Sequence, residues 1–265
     1  MFNKSPISDK VGTTLLAPQN DLLKDTLLAH SLLTRLPIKL DEAAYEQGAR
    51  AAWAYPTVGI TTGVFSCIGA QITLWMGLPL WCAALVALAV AIIVTGAMHE
   101  DGLADCADGF WGGWDPAMRL KIMKDSQIGT YGVLALILVF ALRFGALLEV
   151  LSWENWVLPL IAIQVASRAV MPAVMSILPH ARDTGLSRSV GRISAKSALI
   201  AASIGAIALG LGVGVYGLIM ISVGAVAAFS CIQLARLKIG GQTGDVCGAS
   251  QQVTEVALLL ALLAG

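Results

Sequence analysis

From about residue 54 onward the chain alternates long apolar runs with short polar ones. Apolar runs at 54–76, 78–98, 129–151, 156–178, 196–213, 216–235 and 249–263 predict seven spanning helices. Most approach the roughly twenty residues that a ~30 Å hydrocarbon core requires; the last is short and contains Glu255. Ahead of them, residues 21–36 recur in leucine but carry Lys24, Asp25, His30, Ser31 and Arg35. That mixture suits an amphipathic helix lying in the interface rather than a span, and Pro37 ends it. Residues 41–50 read as a second short polar helix and 1–20 as a loosely held tail. The pattern therefore predicts an all-α, polytopic integral membrane bundle. It has about seven spanning helices plus an N-terminal interfacial helix, and residues 21–265 form one transmembrane domain.

Composition strengthens this reading. Of 265 residues, 57% are hydrophobic and only 13% charged, with a mean hydropathy of +0.78; a soluble domain carries about 25% charged residues. The partner such a surface demands is a lipid bilayer. A formal net charge of zero gives no basic field for nucleic acid. Cys67, Cys82, Cys106, Cys231 and Cys247 are scattered, with no CxxC pair, and imply neither a disulfide framework nor a zinc site. The polar first twenty residues lack the apolar core of a signal peptide. Asn3-Lys4-Ser5 matches a glycosylation triplet too common to carry weight. Trp53, Tyr55, Trp75, Trp81, Trp153 and Trp156 fall near predicted helix ends, as an aromatic belt does.

Charge also sorts the loops. Those at 98–128, 179–195 and 236–248 hold Arg119, Lys121, Lys124, Arg182, Arg188, Arg192, Arg236 and Lys238, whereas those around 77, 152–155 and 214 hold no lysine or arginine. The positive-inside rule places the first set in the cytoplasm, so an integral membrane protein with its polar loops facing the cytoplasm is expected. Oligomeric state is not legible, and the pattern is compatible with a homo-oligomer.

The unusual chemistry sits on that one face. His99-Glu100-Asp101-Gly102-Leu103-Ala104-Asp105-Cys106-Ala107-Asp108 follows an apolar run directly. Asp101, Asp105 and Asp108, spaced i, i+4, i+7, share one side of a helix. Like charges side by side repel unless a cation joins them, and hard oxygen donors without thiolates favour Mg²⁺ or Mn²⁺. Glu100 is a fourth candidate ligand. The alternative is a solvated helix end whose acids favour the N-terminus. Residues 117–124 bring Arg119, Lys121 and Lys124 back beside the acids, with Asp125 following; this suits a diphosphate or anionic lipid heads. Arg143 and Arg168 lie inside spans, where a guanidinium needs a substrate or a buried partner. Arg182 belongs to a glycine-containing loop that reads as an anion cap or a plain topogenic loop. In Thr243-Gly244-Asp245, glycine lets backbone N–H groups face an anion. Asp245, Glu255 and His99 are candidates for handling a proton, although a regular helix turns His99 away from the aspartates.

The stretch His99 to Gly109 resembles the signature of the cobalamin-5′-phosphate synthase family. Four further stretches agree in order: Leu33-Thr34-Arg35-Leu36-Pro37; Ile122-Met123-Lys124-Asp125-Ser126-Gln127-Ile128-Gly129; Ser167-Arg168; and Thr243-Gly244-Asp245 with Gly248-Ala249 and Glu255. The resemblance runs from Leu32 onward. It implies transfer of a substituted phosphate: α-ribazole or its 5′-phosphate joins adenosylcobinamide-GDP, and GMP is released. Asp101, Asp105, Asp108 and Glu100 would hold Mg²⁺ on the diphosphate. Lys124, Asp125, Arg168, Arg182, Thr243 and Gly244 would contact the substrates, and His99, Asp245 or Glu255 would position or deprotonate the attacking hydroxyl. Two rival readings are a CDP-alcohol phosphotransferase of lipid synthesis and a non-enzymatic cation transporter. The first expects an arginine shortly after Asp101, and none occurs between Asp101 and Asp115. The second expects mid-membrane acids in repeated broken helices.

Overall fold

A computed structural model describes residues 21–265; the expected tail and its Asn3 triplet lie outside the described residues. The described residues are predominantly helical: α1 (Asp21–Leu33), α2 (Glu42–Tyr45), α3 (Gly48–Ala51), α4 (Tyr55–Trp75), α5 (Leu80–Thr95), α6 (Met98–Gly112), α7 (Pro116–Ile122), α8 (Thr130–Val150), α9 (Val157–Ile177), α10 (Leu186–Val190), α11 (Ala195–Val213), α12 (Gly217–Ile239) and α13 (Gly244–Leu263). The extended pairing among the described residues is a single parallel bridge between His180 and Gln242. It ties the loop after α9 to the loop before α13.

Among the described residues five helical runs are long and apolar enough to cross a bilayer, or six if α5 and α6 are taken as one bent pair. The sequence predicted seven, and the difference lies in 195–239, a continuous 45-residue run. A straight helix of that length would extend ~67 Å, about twice what a bilayer core requires. The run is not straight. Gly214 adopts φ +64, and a Cβ placed on Gly217 would meet the Leu209 carbonyl at 3.0 Å. The chain reverses there, so α11 and α12 are two antiparallel helices of 19 and 23 residues.

The predicted span 78–98 also needs correction. α5 stops at Thr95, and α6 leaves it at an 88° bend. Gly96 and Ala97 both take left-handed backbone, φ +65 and +59. Arg35 covers this elbow. Its backbone N–H donates to the Val94 carbonyl over 2.7 Å, and a Cβ on Gly96 would collide with Arg35 Nε. The apolar run is therefore split between α5 and the first residue of α6, and α6 is the arm that carries the acids.

α9 lies at the centre, against α4, α11 and α13, while α13 also meets α6, α8 and α12. The spanning windows of α9 and α13 are each 67% buried, against 22% for α8, so these two are the inner helices. α1 docks onto α3 and α4. Its buried Asp25 accepts hydrogen bonds from Arg50 Nη2 at 2.9 Å and Trp53 Nε1 at 2.9 Å. The predicted polar helix at 41–50 is split into α2 and α3 at Gln47.

Candidate functional site

The acids meet where α6 crosses the start of α13. Two glycines permit the approach: a Cβ at Gly102 would stand 2.7 Å from the Asp245 carbonyl oxygen, and one at Gly248 would stand 3.1 Å from His99 Cα. Thr243 caps α13, its Oγ1 accepting from Val246 N–H at 3.3 Å and donating to Asp245 Oδ2 at 3.1 Å. Asp245 thereby joins Asp101 and Asp105. Burial first, then the carboxylates of Asp245 and Asp101, push the Asp105 carboxyl up to about 7, against the opposing pull of Arg182. Crowded negative charge of this kind stabilises a bound cation.

Arg182 reaches in from the loop after α9. Its Nη2 donates to Asp245 Oδ2 over 3.0 Å, while Nη1 is buried with no hydrogen-bond partner. A cleft of about 120 Å³ opens here. Asp101, Asp245, Gly244, Arg182 and Ser187 form its polar side; Tyr55, Met171, Met175 and Val190 form its apolar side. The free N–H groups at the start of the 20-residue helix α13 favour an anion in this place. His99 also lines the cleft. It is 1% exposed, and its Nε2 has no partner.

Two predicted metal ligands are engaged elsewhere. Asp108 accepts from Gly129 N–H at 2.7 Å and Gly132 N–H at 2.9 Å, one through each carboxylate oxygen. α8 begins at Gly129 without a capping side chain of its own, and its open N–H groups require acceptors. Asp108 supplies them, so both of its carboxylate oxygens already serve the start of α8. Glu100 turns inward, accepting from Arg143 Nη1 at 3.1 Å and Gln252 Nε2 at 3.0 Å. Among the described residues no three His, Cys, Asp or Glu side chains close on one point as a finished metal cage. Mg²⁺ does not need one, because it is commonly held by one or two carboxylates, water and substrate phosphates. Asp101, Asp105 and Asp245 are the carboxylates from which such a partial site could draw.

Beneath the cleft lies a polar layer inside the bundle. Arg143 of α8 pairs with Glu255 Oε1 at 2.9 Å and Glu100 Oε1 at 3.1 Å. Gln251 Nε2 donates to Glu255 Oε2 at 2.7 Å and to Ser167 Oγ at 3.1 Å. Arg168 Nη1 donates to Gln164 Oε1 at 2.6 Å. Along α9 this layer separates one apolar cluster, with Met171, Val174 and Met175, from a second with Leu160, Ile163 and Ala166. Along α13 it likewise divides Val246 and Ala249 from Leu258 and Leu262.

This placement corrects two roles. Glu255 lies ten residues beyond Asp245, ~15 Å along the helix, and its carboxylate is consumed by Arg143 and Gln251, so it touches no reacting group at the cleft. Arg168 is 2% exposed and is not among the residues lining the cleft. Lys124 and Asp125 are exposed in the turn between α7 and α8, where Asp125 Oδ1 accepts from Gln127 N–H at 3.2 Å. No contact joins them to the acids. Tyr55, which read as part of an aromatic belt, is instead buried in the cleft wall, and Met171, Met175 and Ser187 of the cleft gave no signal as single residues in sequence. Gln164, Gln251 and Gln252 did give one, being amides inside apolar spans.

The family model described as "Cobalamin-5-phosphate synthase" matches residues 25–263. The adenosylcobinamide-GDP ribazoletransferase of Bradyrhizobium diazoefficiens is 43% identical over 245 residues, 91% of this chain and 93% of that protein. The proteins of that name from Mesorhizobium japonicum and Brucella ovis are 40% and 35% identical, covering 95% and 92% of this chain and 96% and 98% of their own lengths. No solved structure matches significantly. With the family model and these relatives each matching nearly the whole chain, the protein belongs to the cobalamin-5-phosphate synthase family.

Proposed function

We propose that this chain joins α-ribazole or its 5′-phosphate to adenosylcobinamide-GDP in late cobalamin biosynthesis. The ribazole 3′-oxygen forms a bond to the phosphorus next to the aminopropanol arm. The bond from that phosphorus to the bridging oxygen breaks, GMP leaves with the bridging oxygen, and the hydroxyl proton passes to solvent or a nearby base. Family membership and the names of the relatives support this reading and do not favour a CDP-alcohol phosphotransferase or a transporter.

The observation that carries it is the juxtaposition of Asp101, Asp105 and Asp245 with Arg182 and the start of α13. Asp101, Asp105 and Asp245 would hold Mg²⁺, or Mn²⁺, which when bound neutralises charge on the diphosphate. Arg182 Nη1 and the N–H groups at Gly244 orient the transferred phosphate. Asp101 and Asp245 flank the cleft where the attacking hydroxyl would rest, and His99 backs it. The basic loops support a cytoplasmic active site in a bacterial inner membrane.

Reconstituted protein given adenosylcobinamide-GDP, α-ribazole and Mg²⁺ tests the reading. Release of GMP with formation of the ribazole adduct is expected. CMP release from CDP-diacylglycerol, with no GMP from the corrinoid donor, would replace this reading with the lipid one.

A further inference from the structure

The cleft does not end at the acids. Its inner wall is built from Leu33 of α1, Tyr55 of α4, Met171 and Met175 of α9, and Val190 of α10, all 6% exposed or less. Resting on the reaction proposed above, we infer that this inner end is the acceptor subsite and holds the flat, weakly polar base of the attacking nucleoside.

Size excludes the whole donor. Small-molecule pockets hold drug-sized ligands in about 300–1,000 Å³; at about 120 Å³ this cleft takes one small flat ring system and not a corrin ring with its adenosyl group and GDP. Chemistry then separates the two bases. Guanine carries several donors and acceptors, each costing about 1–3 kcal/mol if buried unpaired. The inner wall offers thioethers, aliphatic carbons and one phenol. An alkylated benzimidazole attached to ribose keeps a single free ring nitrogen and is otherwise apolar. Thioether sulfurs also make favourable contacts with aromatic ring edges, and Met171 and Met175 lie one helical turn apart on α9. Occupied this way, the base places its ribose toward Asp101 and Asp245, and the unpartnered, buried Arg182 Nη1 faces the phosphate-bearing end. The corrin remains outside, at the membrane surface.

The test is equilibrium binding of ribosides to the full-length protein in nanodiscs, without donor. Ribosides of dimethylbenzimidazole and of the larger naphthimidazole are compared by calorimetry. Wild type should prefer the smaller base, and Met175→Ala should shift the ratio of the two Kd values at least tenfold toward the larger one. Misfolding cannot produce a gain of that kind. In steady-state assays Met175→Ala should also change KM for the riboside while KM for adenosylcobinamide-GDP stays within twofold. An unchanged Kd ratio, no riboside binding by wild type, or an effect confined to the donor would overturn the inference. If ribosides bind with the shifted ratio but no GMP is ever released, the subsite stands and the proposed reaction fails.

Discussion

Arg182 Nη2 lies 3.0 Å from Asp245 Oδ2, joining the loop after α9 to the first turn of α13. This ion pair occupies one nitrogen of the guanidinium and leaves Nη1 buried without a partner. The pair therefore holds the loop and presents a donor to the cleft. Arg182→Lys keeps the charge but loses the planar fork. It should raise KM for the diphosphate donor about tenfold, roughly the worth of one charge-assisted hydrogen bond, with KM for the riboside little changed. Steady-state kinetics with each substrate varied in turn would show this, and an equal rise for both substrates would contradict it.

Asp105 and Asp108 look equivalent in sequence but occupy different surroundings. Asp105 sits among carboxylates, and Asp108 serves two backbone N–H groups of α8. Asp105→Asn should abolish turnover with an unchanged melting temperature. Asp108→Asn, which retains a carbonyl acceptor for the cap, should keep a substantial part of the activity. Asp108→Ala should cost about 1 kcal/mol of stability, the usual worth of a cap. Parallel activity and thermal-unfolding measurements would reverse these assignments if Asp108→Asn proved as inactive as Asp105→Asn.

The i, i+4, i+7 spacing identified a shared helix face, but it could not reveal that the third aspartate meets the next helix. That contact depends on where the turn at 123–129 delivers α8. Asp245 was legible as an acid but not as the partner of Asp101 and Asp105, since the meeting depends on Gly102 and Gly248 permitting two helices to touch. The long apolar helices and the buried arginines were legible because lipid imposes strong rules on composition. The elbow at Gly96 and Ala97 was not, because the apolar run passes through it without interruption.

Arg143 answers two buried carboxylates, Glu100 and Glu255. Arg143→Met leaves both without their cation. Breaking a buried pair from one side costs about 3–5 kcal/mol, and at about 2–4 °C per kcal/mol for chains of this size the melting temperature in detergent should fall by about 10 °C. Glu255→Gln should cost less, because Glu100 still faces the guanidinium. A fall of only a degree or two in Arg143→Met would show the polar layer to be dispensable.

Gly102 faces the Asp245 carbonyl, with room for no Cβ. Gly102→Ala must push α6 off α13. Overpacking of this sort costs about 1–3 kcal/mol, and it should reduce turnover far more than that destabilisation suggests, because it separates Asp101 and Asp105 from Asp245. Raising the Mg²⁺ concentration should recover part of the loss. Activity close to wild type would mean that the two helices need not touch.

The most direct measurement is GMP release from adenosylcobinamide-GDP by purified, reconstituted protein supplied with α-ribazole, before and after divalent ions are stripped. Chelation should stop it, and added Mg²⁺ should restore it in wild type but not in Asp105→Asn. GMP release that continues undiminished in metal-free buffer would contradict the assignment of the three aspartates.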